Sequence, residues 1–323
     1  MPLFSYGSST NTFRVESMIA PLPSSTYTSP SHVQFPAGTT IVHGILEDRS
    51  KPPSSWSVVS STQSAELSET DNLFEFIPST SGVAVSTRSK ASILRFLDTL
   101  GAGPISLDIT GLSHHVWMPL LRALIEDNRD FQCTYSEPEQ YTFKSNPRPG
   151  EFFDLSERIR GFLPIPTFIT VSRRSQLDAC VVPILGFEGT RLKFLIEMLQ
   201  PEGRNVFPVI GVPGFKLEYP FHTYEGNADP LEADRAWTNV SFVDASCPFS
   251  LFHSLAEIER TRISSQLKIA PIGTKPHALG AAIYAVRNPT AELVYDHPIR
   301  KKSRTTGAGK CHVYNVAEFV RSL

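Results

Sequence analysis

The pattern with the clearest chemistry is Gly273-Thr-Lys-Pro-His277, which follows the short apolar run 268–272. A glycine at a strand end, a hydroxyl helix cap and a lysine in the first helical turn are groups that bind an anion at a helix N-terminus. The alternative is an ordinary turn in which Lys275 faces solvent. We predict that Gly273, Thr274, Lys275 and His277 contact a ligand, although no GxxxxGK[ST] loop is present.

A second loop reads Asp108-Ile-Thr-Gly-Leu-Ser-His-His115. Asp108 at a strand end is suited to hold a ribose hydroxyl or a metal ion. His115 follows Gly111 by four residues, as His277 follows Gly273, and a histidine there is suited to bind phosphate or act as a general acid. The alternative is that the histidines cap or pack near the helix start. The predicted contacts are Asp108, Thr110, Gly111 and His115.

A third loop reads Leu185-Gly-Phe-Glu-Gly-Thr-Arg191. Glu188 is suited to accept hydrogen bonds from ribose hydroxyls, and Arg191 is suited to meet a phosphate. A salt-bridged helix start explains the same residues equally well. We predict Gly186, Glu188 and Arg191 as ligand contacts.

The densest basic segment is 300–310, with five positively charged residues. It follows a predicted strand end, so it begins at the edge where a ligand is expected. Such a segment closes over phosphates, touches a nucleic-acid backbone or is simply a solvated loop. We predict Arg300 and Lys301 as phosphate contacts.

No motif assigns catalytic residues or a cofactor. The sequence lacks a GxSxG elbow, the kinase motif set and a GxGxxG after a strand. It also lacks the HxH and HExxH spacings typical of zinc sites, so no metal site is predicted.

Each of the three glycine loops opens a unit of strand, glycine turn, helix, strand and terminal proline. The intervals from Gly111 to Pro138, Gly186 to Pro213 and Gly273 to Pro298 are 27, 27 and 25 residues. Such units build parallel sheets, whose ligands lie at the carboxyl ends of the strands. The fold class predicted is α/β, with repeated strand–helix–strand units, mostly parallel sheets and a Rossmann-like arrangement. Similar lengths are also expected without internal repetition.

Composition changes along the chain suggest three parts. Residues 1–38 form an irregular arm rich in Ser, Thr and Pro, residues 39–174 a first α/β domain with a crossing segment, and residues 175–323 a second α/β domain. We expect 61–71 to be a loop or short helix, and the aromatic stretch 214–227 to be a functional loop.

Composition limits the class of protein. The 323 residues carry a net charge of −2, so nucleic acid is only a weak candidate partner. The four cysteines form no CxxC pair, which favours free buried thiols. No apolar run approaches the roughly 18 residues that span a bilayer, and no secretory signal is visible, so we expect a cytoplasmic protein away from membranes.

The final unit, 268–298, with its glycine loop and Tyr-Asp-His-Pro corner, resembles the CARF and SAVED sensor domains of bacterial antiviral systems in its general pattern. The resemblance implies a nucleotide messenger as ligand, contacts at Thr274 and Lys275, and a role in signalling or defence. No effector nuclease motif is evident, so a partner protein would be needed.

Three functions remain open from the sequence. The first is a Rossmann-like binding or sensor protein for a nucleotide or other phosphate-containing ligand. The second is a scaffold subunit, with the arm and the aromatic stretch 215–224 contacting a protein partner or a second copy. The third is an enzyme acting on a nucleotide or sugar phosphate, with His115 or His277 as the acid–base group and Lys275 and Arg191 on the phosphate.

Overall fold

The computed structural model describes residues 22–57, 62–148, 150–170, 179–233, 235–261 and 266–323. These residues form two large β-sheets, three two-stranded sheets and eight α-helices, which confirms the predicted α/β class. The unit that begins at Gly273 folds as its residue types predict. The Thr274 side chain caps the helix by accepting from the backbone of His277, and Pro276 lies in the first turn.

The chain before the crossing segment contains seven strands and two α-helices. Its elements are β1 Ser24–Tyr27, β2 Thr40–His43, β3 Gln63–Glu69, β4 Glu75–Pro78, β5 Val85–Ser86, α1 Lys90–Thr99, β6 Ile105–Asp108, α2 His114–Glu126 and β7 Phe131–Ser136. Short strands then cross the surface: β8 Gln140–Tyr141, β9 Phe143–Arg148, β10 Glu151–Phe153, β11 Ser156–Ile159 and β12 Leu163–Pro164.

The remaining elements contain the other two predicted units. They are β13 Cys180–Ile184, α3 Gly189–Leu199, β14 Val209–Gly211, α4 Tyr219–Gly226, α5 Ala228–Ala233, β15 Ser241–Val243, α6 Pro248–Thr261, β16 Leu267–Pro271, α7 Lys275–Arg287, β17 Glu292–Tyr295, β18 Pro298–Arg300, β19 Thr305–Thr306, β20 Cys311–Tyr314 and α8 Val316–Ser322.

The first sheet has eight strands in the order β1-β20-β7-β6-β2-β3-β4-β5. Strands β7, β6, β2 and β3 are parallel neighbours. On one side of them β20 pairs antiparallel with β7 and β1 with β20, and on the other side β4 pairs antiparallel with β3 and β5 with β4. Strand β6 is buried along its whole length, as expected for a parallel strand covered on both faces.

The second sheet has six strands in the order β12-β17-β16-β13-β14-β15. The five strands from β17 to β15 are parallel, and β12 joins the edge in the antiparallel direction. In all three predicted units the helix connects two strands that are parallel neighbours in one sheet.

The sheets exchange strands across the predicted boundary at residue 174. Strand β12 lies before that boundary but joins the second sheet, and β20 lies near the C-terminus but joins the first sheet. Strand β1, inside the predicted arm, pairs with β20. The chain therefore crosses between the two sheets more than once.

Two local predictions were wrong. The polar stretch 61–71 contains strand β3 instead of a loop or helix, because Ala65 and Leu67 point into the core while their polar neighbours face outward. The aromatic stretch 214–227 is a loop only at its start and then forms α4, in which Tyr219 and Thr223 are buried.

One hydrophobic core joins the two sheets. Helix α2 packs against α7, and the same cluster of buried residues includes Leu107 of β6, Trp117 of α2, Ile269 of β16 and Leu279 of α7. The two halves therefore share the largest core cluster, and two smaller clusters lie beside the second and the first sheet. All four cysteines are free, and three of them are buried.

Candidate functional site

Two glycines meet where the strand order of the second sheet reverses. Gly186 follows β13 and Gly273 follows β16, and these strands are neighbours. A Cβ atom at Gly186 would lie 2.8 Å from the carbonyl oxygen of Ile272, and one at Gly273 would lie 2.5 Å from that of Leu185. Only glycine allows this approach of the two backbones. Their contact marks the point at which the loops from β13 and β16 separate.

The first sheet has a matching pair, Gly44 after β2 and Gly111 after β6. Here a Cβ at Gly111 would lie 2.1 Å from the carbonyl oxygen of Gly44 and 2.3 Å from the Ser50 hydroxyl. In the first sheet, the space beside Gly111 is therefore occupied by the backbone of Gly44 and the side chain of Ser50.

A pocket lies over the carboxyl ends of the second sheet. It holds about 900 Å³ of space between atoms, including the part open to solvent. Both halves of the chain line it, since Arg49, Tyr135 and Tyr141 come from the first half. From the second half come the loops after β13, β14, β15, β16 and β17, with the lining residues Gly186, Phe187, Glu188, Arg191, Phe215, Tyr219, Ala245, Gly273, Thr274, Lys275, Tyr295, Arg300 and Arg304.

Three arginines of the pocket lining contact one buried carboxylate, and we call these four residues the guanidinium cluster: Arg49, Arg300, Arg304 and Glu47. Arg304 donates from Nε and Nη2 to Glu47 Oε1, and Arg300 Nη1 lies 3.5 Å from the same oxygen. Arg49 Nη1 donates to Glu47 Oε2 at 2.9 Å and to the Thr305 hydroxyl at 2.7 Å. One carboxylate thus holds three guanidinium groups together.

The pKa values of this cluster follow from its charge balance. Burial alone would raise the pKa of Glu47, but Arg304, Arg49 and Arg300 lower it well below its usual value. Burial and the charge of Arg300 lower the pKa of Arg304, although Glu47 opposes this effect. The pKa values of Arg49 and Arg300 are instead raised, with nearby tyrosines and Glu47 opposing the effect of burial. By charge count, three guanidinium groups still exceed the one carboxylate of the cluster.

A second ion pair supports the pocket beside the glycine pair. Arg191 donates from Nε and Nη2 to the two carboxylate oxygens of Asp296, both at 2.6 Å, and from Nη1 to the carbonyl of Ile272 at 2.8 Å. Asp296 is fully buried. The arginine therefore ties α3 to the end of β17, so most of its donors are already engaged.

Glu188 has a structural set of partners as well. Its Oε1 accepts from the backbone amides of Leu155 and Ser156, and its Oε2 accepts from the Ser156 hydroxyl, all at 2.8–2.9 Å. The carboxylate thereby fixes the crossing segment against the start of α3.

An aromatic wall, defined as Tyr141, Phe187 and Tyr219, lies on another side of the pocket. The three rings contact one another edge to face, with centroids 5.2–5.7 Å apart. The ring centroids of Phe215 and Tyr135 lie 6.0 Å apart, and both residues also line the pocket. A flat apolar group therefore has ring surfaces to contact in the same space as the arginines.

Lys275 joins the two halves instead of facing solvent. Its ammonium donates to the carbonyls of Ile109, Thr110 and Leu112, at 2.5, 2.6 and 2.7 Å. Burial, followed by the charge of Arg300, lowers the pKa of Lys275 well below its usual value. Three carbonyl acceptors nevertheless need three N–H donors, so the hydrogen bonds favour the charged form.

The other residues of this predicted loop differ in exposure to the pocket. Thr274 lines it, and its hydroxyl donates to the carbonyl of Ala245 at 2.9 Å. His277 is fully buried outside the lining, and its Nε2 donates to the carbonyl of Asp244 at 2.8 Å. Burial lowers the pKa of His277 to about 4. His277 therefore stabilises the loop after β15.

The predicted residues of the loop Asp108 to His115 lie outside the pocket lining. Asp108 is buried, its Oδ1 accepts from the backbone amide of Thr110 at 2.9 Å, and burial raises its pKa. The Thr110 hydroxyl accepts from the amide of Ser136. His115 Nε2 lies 3.8 Å from Glu69, and burial lowers the pKa of His115 to about 3. These groups organise the loop that receives Lys275.

The pocket therefore brings together seven predicted residues: Gly186, Glu188, Arg191, Gly273, Thr274, Lys275 and Arg300. Asp108, Thr110, Gly111, His115 and His277 lie outside its lining, and Lys301 lies on the adjoining surface in an ion pair with Asp154.

Sequence reasoning missed Arg49, Glu47, Tyr141 and Phe187. One signal was available, because Gly44 ends a strand rich in β-branched residues and Arg49 follows closely.

Within the described ranges, no group of three or more His, Cys, Asp or Glu side chains is placed to hold a metal ion. None of the helices in the described part of the chain combines the length and apolarity that a membrane span requires. The chain matches no protein-family model, no curated protein and no solved structure.

Proposed function

We propose that this protein binds a phosphate-containing small molecule, with a nucleotide as the best candidate. The observation that carries the proposal is the guanidinium cluster, in which one buried carboxylate holds three arginines in a pocket over the carboxyl ends of a parallel sheet. Arginine in such a place is suited to phosphate because its planar donors pair with two oxygens at once.

The strand order of the second sheet supports a Rossmann-like interpretation. Numbered along the chain from β13, its five parallel strands have the order 3-2-1-4-5. In doubly wound sheets of this order the ligand lies where the order reverses, which here is between β13 and β16. Gly186 and Gly273 meet at that point, and both line the pocket.

The charge balance supports an anion as the ligand. Three arginines share one glutamate, and burial with the charge of Arg300 lowers the pKa of Arg304. An anion in the pocket would relieve this repulsion, and the low dielectric of a partly buried site strengthens the attraction. The aromatic wall favours a ligand that also carries a flat ring, as nucleotides do.

An enzymatic role has less support. His115 and His277, the predicted acid–base groups, both lie outside the pocket lining, and burial lowers their pKa values to about 3 and 4. Each is therefore neutral near pH 7, and the Nε2 of His277 is already engaged with the carbonyl of Asp244.

A scaffold role is the second candidate, and it rests on exposed apolar side chains. Leu217 and Phe221 are 88% and 73% exposed, and Tyr224 and Phe242 are also exposed. They lie in and beyond the aromatic stretch 215–224 that the sequence suggests as a contact surface. Both roles are compatible in one molecule, since a sensor needs a partner to which it reports. A role in antiviral defence remains a proposal that rests on the resemblance of the final unit.

The test has two steps. Small molecules released on denaturation of the purified protein are identified by mass spectrometry, and candidate nucleotides are then titrated calorimetrically into wild type and Arg304→Ala. We expect a phosphate compound to bind and Arg304→Ala to weaken it by at least tenfold, as loss of a charge-assisted hydrogen bond of about 1.5–3 kcal/mol would.

Two further variants make the result interpretable. Arg304→Lys keeps the charge and should retain part of the affinity if the fold is intact. Arg260→Ala removes an exposed arginine on α6 whose partner is Glu257, and it should change nothing. Binding to none of the phosphate compounds, or equal binding by wild type and Arg304→Ala, would contradict the proposal.

A further inference from the structure

A shallow cationic groove continues from the pocket to the surface. Arg304 lines both the pocket and this groove. The other side chains of the groove include Lys144, Lys301 and Lys302, with Asp154 as its acidic member. The positive charge of the guanidinium cluster therefore extends outward along the same segment of chain.

The lysines of the groove differ in their partners. Lys144 pairs with Glu151 at 2.7 Å, and Lys301 pairs with Asp154. Lys302 is exposed, and within the described residues it makes no hydrogen bond or ion pair. It is therefore the cation of the groove with the most freedom to meet a ligand.

The backbone that carries these cations is held in place. The amide of Thr142 donates to the carbonyl of Arg304 at 2.9 Å, and the Thr142 hydroxyl donates to the carbonyl of Ser303 at 2.8 Å. Strand β19, immediately after, pairs with β8. The backbone between Lys302 and Arg304 is thus held before any ligand arrives, so the freedom lost on binding is mainly that of the Lys302 side chain.

We infer that the ligand carries a chain of two or more phosphates. Its inner phosphate lies at the guanidinium cluster, and its outer phosphate leaves the pocket past Arg304 to meet Lys302 in the groove. This inference rests on the proposed function and specifies its ligand class as a nucleoside di- or triphosphate. A long polyanion fits less well, because the protein has a net charge of −2.

The test is a titration series with AMP, ADP and ATP, and with the cytidine series alongside, in buffer containing EDTA so that the protein supplies the cations. We expect wild type to bind the triphosphate roughly tenfold more tightly than the monophosphate. Lys302→Ala should reduce this ratio by about twofold to fivefold, the upper part of the range of an exposed charge pair. Lys302→Glu should reduce it further.

Lys90→Ala is the matched control, since Lys90 is an exposed lysine of α1 with one ion-pair partner, Glu126. It should leave the ratio unchanged. A wild-type ratio within twofold of one would overturn the inference while leaving a monophosphate ligand in place. A large ratio that Lys302→Ala does not change would place the outer phosphate elsewhere and also overturn it. Binding of no nucleotide at all would instead refute the proposed function.

Discussion

Replacing Lys275 by methionine is the most direct test of how the two halves are held together. The side chain keeps a similar length but loses the ammonium that donates to the carbonyls of Ile109, Thr110 and Leu112. Lys275 is 6% exposed, so water cannot readily replace those bonds. We therefore expect a large loss of stability from a substitution that leaves the apolar contacts in place.

The magnitude follows from the groups left without a partner. A buried polar group that loses its hydrogen bond costs about 1–3 kcal/mol, so three carbonyls give at least about 3 kcal/mol. The variant also avoids the cost of burying an ammonium, which offsets part of the loss. We therefore take the low end and expect the free energy of unfolding to fall by about 3 kcal/mol.

Urea unfolding measures this change with two probes, intrinsic fluorescence and far-ultraviolet circular dichroism. For an m value of about 3 kcal/mol/M, the midpoint should fall by about 1 M. Lys90→Met is the control, because Lys90 is an exposed lysine of α1 whose ammonium pairs with Glu126. It should cost about 1 kcal/mol or less. A loss for Lys275→Met no larger than that of the control would refute the idea that its ammonium joins the halves.

Two further predictions concern the backbone and pH. Gly186→Ala should destabilise the fold by about 1–3 kcal/mol, because the added Cβ would lie 2.8 Å from the carbonyl oxygen of Ile272. Gly309→Ala is the control, because a Cβ at that position would have no contact under 3.5 Å. Gly38→Ala is not suitable as a control, since the positive φ of Gly38 adds strain of its own. Burial lowers the pKa of His277 to about 4 in the folded protein, whereas the unfolded chain titrates near its ordinary value of about 6.5. Between these values only the unfolded chain takes up the proton, so each unit of falling pH should cost about 1.4 kcal/mol for this histidine. Urea unfolding at pH 7, 6 and 5 should show a shallower pH dependence for His277→Asn than for wild type, and equal slopes would contradict the assignment.

The features that the sequence predicts correctly depend on short stretches of chain. The strand, glycine, threonine cap and early proline around Gly273 are all local signals, and the helix begins as they indicate. The three strand–helix–strand units follow from the same kind of signal. Each of these elements is determined by residues within about 30 positions of one another.

The features that the sequence does not predict depend on distant contacts. Glu47 and Arg304 are 257 residues apart, and no local pattern links an acidic residue in one loop to an arginine in another. Strand β3 escaped prediction because one of its faces is polar and exposed. Lys275 was correctly placed at a helix start, but its partner is a set of carbonyls from the other half of the chain.

The position of Lys275 has a consequence for any ligand in the pocket. Gly273 and Thr274 line the pocket, and the next residue donates to the loop after β6. The guanidinium cluster makes a second connection, since Glu47 and Arg49 belong to the first half while Arg300 and Arg304 follow β17. A ligand that draws on these arginines would therefore act on both halves at once. Because one core joins the two sheets, the response to binding is expected to involve the loops at the carboxyl ends of the strands and to leave the core unchanged.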